Sequence, residues 1–399
     1  MHAQVLSFLT RCKLRWPLLF AVPAVLEAGS YIVNGSPRGL FATPEYVGVD
    51  WRPGPGVNEI ALLHEYRGRP DAYFDTIVST EMLEHDPHWQ QSVTRLVELL
   101  KPGGNLLLTC AGPDRPPHEL ACGPDDYYQG RRANEVLSVL CDAAQWERVH
   151  AETHMQPNDT YIAALGRQPE HLPRLSGVLS VIVPAVGNVD LTARCIASLR
   201  AHTRPPYEII LVDNGSTPDH AEALADLGAD VYLRYDRLLG YPAAINRGLE
   251  VAQGEYVCLL NNDTEVEPYW ASRLIAVLET RGAAIVSPVT DFIANPAQHR
   301  DTAGHNVAEA TTLFFVCVLM RYNLAAEVGL LDERFGLGNC EDKEYCDRVK
   351  ARGGKLVVEP GVFVQHVGHG TFGRFKPGLF MALLKRNEQL LATCRAERV

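Results

Sequence analysis

The sequence has little of three things that would narrow its class at once: long apolar runs, paired cysteines and positive charge. No apolar run reaches the roughly 18 residues that cross a bilayer, so no membrane-spanning helix is predicted. The apolar segment 311–323 is too short and is predicted as a core strand. The ten cysteines form no CxxC pair, which argues against a disulfide framework or a zinc ribbon and makes the cytoplasm the default compartment. The 37 basic and 48 acidic residues give a formal charge of −11, which argues against a broad nucleic-acid or membrane surface.

What the sequence does have is room for two folded domains. Hydrophobic residues make up 46% of the 399 and charged residues 21%, the composition of a folded chain. On both sides of residues 167–178, strand-like apolar runs alternate with helix-like runs, the pattern of parallel sheets covered by helices. We therefore predict an α/β fold with two domains, 1–166 and 179–399, joined by a linker over 167–178. Ligands of such sheets bind at the carboxyl ends of strands, so the polar residues after each apolar run are the candidate sites.

The amino terminus has two interpretations. Arg11, Lys13 and Arg15 precede the apolar stretch WPLLFAVPAVL, an order that a signal peptide shares. The alternative is a basic segment leading into a buried first strand, VPAVLEAGS. We favour the second interpretation because a strand-end motif follows directly.

In the first half, two predicted strands end in groups suited to a nucleoside. Glu27 and Gly29 close the first strand, and a glycine there permits a tight turn at which the backbone approaches a ligand. Asp50 closes the second strand, where a carboxylate accepts hydrogen bonds from both hydroxyls of a ribose. An ordinary turn with a capping aspartate is the alternative at this point.

The order VLEAGS, YVGVD, FDTIVSTEMLEH and LVELLKPGGNLLLTC resembles the class I S-adenosylmethionine-dependent methyltransferases over residues 20–165. The resemblance implies a Rossmann-like sheet that binds S-adenosylmethionine. Glu27 and Gly29 would line the methionine end of the cofactor, and Asp50 would hold the ribose hydroxyls. Ser79 and Thr80 would border the transfer site.

Three departures from that family bear on the cofactor. Tyr31 and Val33 stand where the family has further glycines, and Asn58 stands where an acidic residue is expected. These departures leave open the alternative that the first domain has lost its cofactor and serves as a binding or docking module.

The segment EMLEH, residues 81–85, is a second candidate in the first half. If a helix begins here, Glu81, Glu84 and His85 share one face. Two carboxylates and an imidazole can hold a divalent cation, with His118 as a further ligand, and the arrangement resembles methyltransferases with a metal beside the acceptor hydroxyl. Alternatively, His85 or His118 is a general base, or the glutamates cap a helix and the histidine is structural.

The second half repeats the pattern with different groups. Asp213 ends the run EIILVDNGS, where a carboxylate suits the imide N–H of a uracil or thymine ring. Asn262 and Asp263 end the run EYVCLLNND, where a hard carboxylate binds Mg²⁺ or Mn²⁺ and neutralises a diphosphate. Glu341 and Asp342 stand at a predicted helix start. Taken singly, each motif is equally explained as a turn or a helix cap.

Together with His366 in GVFVQHVGH, these motifs in this order resemble glycosyltransferase family 2, the inverting GT-A fold, over residues 178–375. The resemblance implies that Pro184 and Asp213 border the nucleobase. It places Asn262 and Asp263 at the DxD-type motif, with Asp263 as the metal ligand and His366 as a further ligand of the metal–diphosphate unit.

The same resemblance implies the catalytic groups. Asp342 would be the base, with Glu341 beside it, and would deprotonate an acceptor hydroxyl that displaces the nucleoside diphosphate in one inverting step. Two departures matter: Val186 and Gly187 replace an aromatic residue often found after the first strand, and Ile245 stands where some relatives carry arginine.

We therefore expect a bifunctional enzyme of glycan assembly, using S-adenosylmethionine and a divalent cation. Its donor would be a nucleotide-sugar, UDP- or dTDP-linked by preference, and its acceptor a glycan or glycoconjugate, as in surface polysaccharide synthesis. We expect a cytoplasmic location, with peripheral attachment at the inner membrane face left open. Two alternatives remain: a glycosyltransferase with an inactive methyltransferase-like module, and a phage-type glycosyltransferase of nucleic acid, against which the acidic charge argues.

Overall fold

The computed structural model describes residues 3–116, 127–155, 158–168, 175–368 and 377–397. The chain divides into two compact units, Met1–Leu172 and Pro173–Val399. Within the described residues, no helix is both long and apolar enough to cross a bilayer.

The first unit is built on a doubly wound sheet. Its strands are β1 (Ala24–Ala28), β2 (Glu45–Asp50), β3 (Glu59–Ile60), β4 (Phe74–Thr80), β5 (Leu100–Ala111), β6 (Trp146–Met155) and β7 (Asn158–Arg167). They lie in the order β3-β2-β1-β4-β5-β7-β6. Strands β1 to β5 pair in parallel, whereas β7 runs antiparallel to both β5 and β6. The order reverses beside β1, and ligands of doubly wound sheets bind at such a reversal.

Helices and short 3-10 turns connect these strands. The helices are α1 (Ala3–Arg15), α2 (Trp89–Leu99) and α3 (Ala133–Ala143), and the 3-10 turns are Pro17–Phe20, Pro37–Leu40, Leu63–Glu65 and Leu83–His85. The basic segment at the amino terminus is thus a helix. Its residues Val5, Phe8, Leu9 and Cys12 recur at helical spacing and are buried in the core of this unit.

The second unit has its own mixed sheet. Its strands are β8 (Leu175–Ala185), β9 (Tyr207–Asn214), β10 (Val231–Tyr235), β11 (Gly254–Leu260), β12 (Thr264–Val266), β13 (Ala283–Thr290), β14 (Ala308–Glu309), β15 (Cys317–Arg321) and β16 (Lys355–His366). The order is β12-β16-β13-β15-β11-β8-β9-β10, and β14 pairs with β16. Strands β8 to β11 are mutually parallel, and β15 is antiparallel to its neighbours β11 and β13. The order reverses beside β8.

The helices of the second unit pack on this sheet. They are α4 (Val189–His202), α5 (Pro218–Ala225), α6 (Tyr241–Val251), α7 (Trp270–Arg281), α8 (Tyr322–Val328), α9 (Glu341–Ala351) and α10 (Pro377–Ala396), with a 3-10 turn at Glu333–Phe335. The strand predicted within residues 311–323 is confirmed as β15, and four of its five side chains are buried. The helix predicted to start at Glu341 is confirmed as α9.

Candidate functional site

The predicted cofactor residues of the first unit lie at one edge of its sheet. Glu27 is the next-to-last residue of β1 and Asp50 is the last of β2. Ser79 lies opposite Ala28, the last residue of β1, in the pairing of β1 with β4. Because these strands are parallel, their carboxyl ends meet where the strand order reverses. The side-chain hydroxyl of Ser79 is buried and makes no hydrogen bond.

Gly29 makes the turn after β1, and only glycine fits there. Its φ is +78°, and an added Cβ would lie 2.7 Å from the Cβ of Met82. Its amide donates to the carbonyl oxygen of Val49 at 2.9 Å, which ties the turn to β2. The turn therefore brings bare backbone to the sheet edge, as a close-binding ligand requires.

The two carboxylates at this edge are held differently. Glu27 is buried and accepts weak hydrogen bonds of 3.3 Å from the hydroxyl of Ser36, and burial raises its pKa to about 7. Asp50 accepts from the amides of Tyr31 at 3.0 Å and Arg52 at 3.2 Å. Burial raises the pKa of Asp50, while these amides oppose the rise. Tyr31, a departure from the resembled family, thus supports Asp50 through its backbone.

Asn58, a further departure from the resembled family, makes structural hydrogen bonds. Its side-chain oxygen accepts from the amide of Gly48 at 2.8 Å and from Arg38 at 3.0 Å. An amide side chain at this position therefore holds β2 and the turn before β3 together.

The predicted metal cluster at Glu81, Glu84 and His85 is wrong. Glu81 has a φ of +56°, and residues 83–85 form one 3-10 turn, while helix α2 begins only at Trp89. The i, i+3, i+4 spacing therefore does not place these three side chains on one helical face. Among the described residues, no group of three or more histidines, cysteines or acids is arranged to hold a metal ion. His118 lies outside the described residues.

Instead, Glu81 belongs to a buried ionic cluster at the same sheet edge. Arg115 bonds Glu81 at 2.8 Å and also bonds Asp159. Glu84 is fully buried, and burial together with the charge of Glu81 raises its pKa well above the usual range. The His85 ring packs edge-on against Tyr128, with centroids 5.1 Å apart.

The sequence analysis missed Asp159 because of strand direction. Asp159 lies near the start of β7 and pairs with Ala111, the last residue of β5. Since β7 is antiparallel, its amino end and not its carboxyl end reaches the candidate edge. The polar triplet Asn158-Asp159-Thr160 before an apolar run was the available signal.

In the second unit, Pro184 and Asp213 lie at the carboxyl ends of adjacent strands. Pro184 pairs with Val212 and Ala185 with Asp213. Asp213 is fully buried and accepts from the Ser216 amide and the Tyr232 hydroxyl, both at 3.0 Å. Burial raises its pKa, and these hydrogen bonds lower it in part.

Asp263 and His366 are brought into contact across the sheet. β12 starts at the residue after Asp263 and pairs with β16, which ends at His366. The His366 Nε2 lies 3.3 Å from the Asp263 Oδ1, while its Nδ1 lies 2.6 Å from the carbonyl oxygen of Phe292. The side chain of Asn262 donates to the Thr192 hydroxyl at 2.9 Å.

Helix α9 begins with Glu341 and Asp342. Residues Phe315 and Val316 connect Asp342 to the loop that carries Asp263 through backbone hydrogen bonds. Asp342 accepts from the amide of Lys343 at 2.7 Å, and the Phe315 backbone also lowers its pKa. The next carbonyl along, that of Val316, accepts from the amide of Asn261 at 2.9 Å, two residues before Asp263.

The two carboxyl groups at the start of α9, those of Glu341 and Asp342, both have raised pKa values. Burial, together with the charge of Asp342, raises the pKa of Glu341 to about 8. Burial raises the pKa of Asp342 to about 6, against the effect of the Lys343 amide and charge. Both carboxyl groups thus hold protons more tightly than free side chains do.

A family model matches part of this second unit. Residues 180–320 fit the model of glycosyl transferase family 2. The chain is 38% identical over 94 residues to an uncharacterized glycosyltransferase, YibD, of Escherichia coli K12, covering 23% of this chain and 27% of the relative. It is 29% identical over 121 residues to the glycosyltransferase GlyG of Streptococcus pneumoniae serotype 4, covering 28% of this chain and 38% of that protein. The chain thus spans only about a quarter to two fifths of the length of these curated relatives.

A solved structure is also similar to part of this chain. It is a crystal structure of GalNAc-T7 with UDP, GalNAc and Mn²⁺, at 17% identity and a TM-score of 0.42, covering 50% of this chain and 45% of that one. A likeness this distant carries no argument about ligands. The matched family segment lies wholly in the second unit, so the methyltransferase assignment of the first unit stays a prediction.

Proposed function

We propose that this protein transfers a sugar from a nucleotide-sugar to an acceptor hydroxyl with inversion, because residues 180–320 of its second unit match the model of glycosyl transferase family 2. The observation that carries the proposal is the contact of Asp263, in the loop after β11, with His366 at the end of β16. Asp342, a carboxyl group with a raised pKa, is hydrogen-bonded by the Phe315 backbone. The adjacent Val316 carbonyl accepts from the amide of Asn261, two residues before Asp263.

The donor's nucleoside end is assigned to Pro184 and Asp213. Both lie where β8 and β9 end, beside the reversal at which such sheets bind ligands. Asp213 is an acceptor suited to the imide N–H of a uracil or thymine ring, which favours UDP- or dTDP-sugars. Its bonds to Ser216 and Tyr232 fix the carboxylate before any ligand arrives.

A divalent cation fits Asp263 and His366. In proteins, Mg²⁺ and Mn²⁺ are commonly held by one or two side chains together with substrate phosphates. A histidine ligand usually donates its other ring N–H to a carbonyl or carboxylate, and the Nδ1 of His366 contacts the Phe292 carbonyl. The bound cation would neutralise the charge of the departing diphosphate.

Asp342 is assigned as the general base, with Glu341 beside it. Its pKa of about 6 leaves it ionised at neutral pH and still basic enough to accept the acceptor's proton. The acceptor oxygen then forms a bond to the anomeric carbon as the bond to the diphosphate oxygen breaks, with inversion at that carbon. The proton remains on Asp342 until it is released to solvent.

A donor screen tests this proposal. Nucleotide-sugars, UDP-, dTDP- and GDP-linked, are offered with Mn²⁺ and without it, and ligand binding is expected to raise the melting temperature. Labelled sugar transfer to glycan acceptors follows for each donor that binds. Transfer that persists in both Asp342→Asn and Asp263→Ala would refute the assigned roles.

For the first unit, we propose S-adenosylmethionine-dependent methyl transfer to the same class of glycan. The doubly wound order, the glycine-only turn at Gly29 and the carboxylate at Asp50 support it. S-adenosylmethionine would supply the methyl group, Glu27 would face its methionine end, and the orphaned hydroxyl of Ser79 would border the transfer site. Calorimetry with S-adenosylmethionine tests this, and binding should be lost in Asp50→Ala. No binding by the unaltered protein would favour a docking module instead.

A further inference from the structure

The loop before Glu341 has a backbone that must be held in place. Gly336, Gly338, Asn339 and Cys340 all have positive φ values, of 62°, 117°, 74° and 77°. Glycine adopts such values freely, but asparagine pays a modest cost and cysteine a larger one. Non-glycine residues stay in this region only where their surroundings over-determine it, and such sites cluster near catalytic groups. Asn339 and Cys340 therefore need a restraint from their surroundings.

Asn387 of helix α10 supplies that restraint. Its side chain is fully buried, and its amide nitrogen lies 2.8 Å from the carbonyl oxygens of Phe335 and Gly338 and 3.0 Å from that of Asn339. A primary amide has two N–H groups, so three carbonyls of the loop share them. One side chain thus satisfies three backbone acceptors within five residues.

Two further contacts clamp the loop from the same helix. Arg386, the preceding residue, donates to the Asn387 side-chain oxygen at 3.0 Å and to the Arg334 carbonyl at 2.8 Å. Leu391, one helical turn beyond Asn387, packs with Phe335 and Cys340 in a small buried cluster. Helix α10 therefore fixes both the polar backbone and the apolar side chains of the loop.

The opposite side of the loop packs closely against the start of α6. A Cβ added to Gly240, at the start of α6, would lie 1.9 Å from the carbonyl oxygen of Gly336. Asn246 of α6 exchanges two hydrogen bonds of 2.9 Å with the backbone of Leu331. The loop and its approach are thus enclosed between α6 and α10.

We infer that Asn387 is a positioning residue for Asp342 and that α10 is the clamp that aims the start of α9 at the acceptor. The inference rests on the proposed function, since it assumes Asp342 as the base. Asp342 lies two residues beyond Cys340, so the loop conformation sets where its carboxyl group points. A misplacement of about 1 Å can cost roughly a hundredfold in rate, whereas the donor-binding residues lie on other elements.

The test compares Asn387→Asp, Asn387→Ser and the control Gln389→Ala in the full chain. Aspartate keeps the shape of asparagine but removes both N–H donors. Serine keeps one donor and replaces the aspartate variant if that variant fails to fold. Gln389 is exposed on the same helix and serves as the control position. For each variant, kcat, KM for the donor and calorimetric affinity for the nucleoside diphosphate with Mn²⁺ are measured. Amide hydrogen exchange over residues 335–343 is measured in parallel.

We expect both Asn387 variants to lower kcat by about ten- to a hundredfold, with diphosphate affinity unchanged and faster exchange in the loop. Gln389→Ala should match the unaltered protein. An equal loss of kcat and diphosphate affinity, or unchanged kcat and unchanged exchange in a folded variant, would overturn the inference. The exchange readout needs no activity, so faster loop exchange without any sugar transfer in the unaltered protein would instead count against the proposed function.

Discussion

Replacing Asp342 by asparagine should slow sugar transfer strongly and yet stabilise the protein. The pKa of this carboxyl group rises from 3.8 to about 6 on folding because of burial. Between those pH values the folded chain binds more protons than the unfolded chain, so stability falls as pH rises through that window. Above about pH 6 the loss is complete. Asparagine carries no charge to bury and retains the oxygen that accepts from the Lys343 amide.

The size of the effect follows from the pKa. A rise of about 2 in pKa corresponds to about 3 kcal/mol, which is an upper limit. Asp342 is partly exposed, and its titration is shared with Glu341, so about 1–2 kcal/mol is expected at pH 7.5. Removing the Asp342 charge also lowers the pKa of Glu341, which acts in the same direction. At pH 4, close to the unfolded pKa of 3.8, most of this difference should be gone.

The assay combines urea unfolding at pH 4 and pH 7.5 with sugar-transfer kinetics. Loss of a general base should lower kcat by about 10²–10⁴-fold. The matched control is Asp219→Asn, because Asp219 is the second residue of α5 as Asp342 is of α9. Asp219 is exposed and favourably placed at a helix amino terminus, so its loss should destabilise by at most about 1 kcal/mol. A destabilised Asp342→Asn at pH 7.5, or a stability gain that persists undiminished at pH 4, would refute the buried-charge reasoning.

Three further changes, and one control at Gly103, have expected outcomes. Gly29→Ala places a Cβ 2.7 Å from Met82 and should cost about 2–4 kcal/mol by urea unfolding and abolish S-adenosylmethionine binding. Gly103→Ala has a similar φ but open space, so it should cost only about 1–2 kcal/mol; equal costs would contradict the steric account. Glu27→Gln removes a carboxyl group whose pKa burial raises to about 7. In urea unfolding, this change should therefore raise the free energy of unfolding by about 1–3 kcal/mol at pH 8 and leave it unchanged at pH 4. Asp263→Asn should remove the Mn²⁺-dependent part of nucleotide affinity in calorimetry, and an unchanged metal dependence would exclude Asp263 as a ligand.

The strand-end residues could be predicted because burial makes a simple pattern. A strand covered on both faces is a continuous apolar run, so its end is visible in the sequence, and the ends of parallel strands meet at one edge. Glu27, Asp50 and Asp213 were found by that rule. The rule failed at Asp159, since it assumes that every strand at the edge is parallel, and β7 is not.

Local spacing failed at Glu81 for a different reason. An i, i+3, i+4 pattern locates side chains only if the backbone is helical, and the positive φ of Glu81 breaks the helix before it starts. The amide of Glu81 donates to the Thr109 carbonyl in the neighbouring strand at 2.9 Å. That pairing depends on a residue far along the chain, so no local pattern could reveal it.

The support of the proposed base is the part that sequence reasoning reaches least. Glu341 and Asp342 stand out because acids after a glycine-containing loop are typical of a helix start. Asn387, by contrast, is one polar residue in the middle of a helix, and its three backbone partners lie about 50 residues earlier. A buried amide that meets several carbonyls has no spacing signature, since the fold alone decides which carbonyls it meets. It also lies beyond residues 180–320, the segment that matches the family model. The side chains that aim a catalytic carboxylate therefore have to be sought in the contacts of the strained backbone beside it, and Asn339 and Cys340 mark that backbone here.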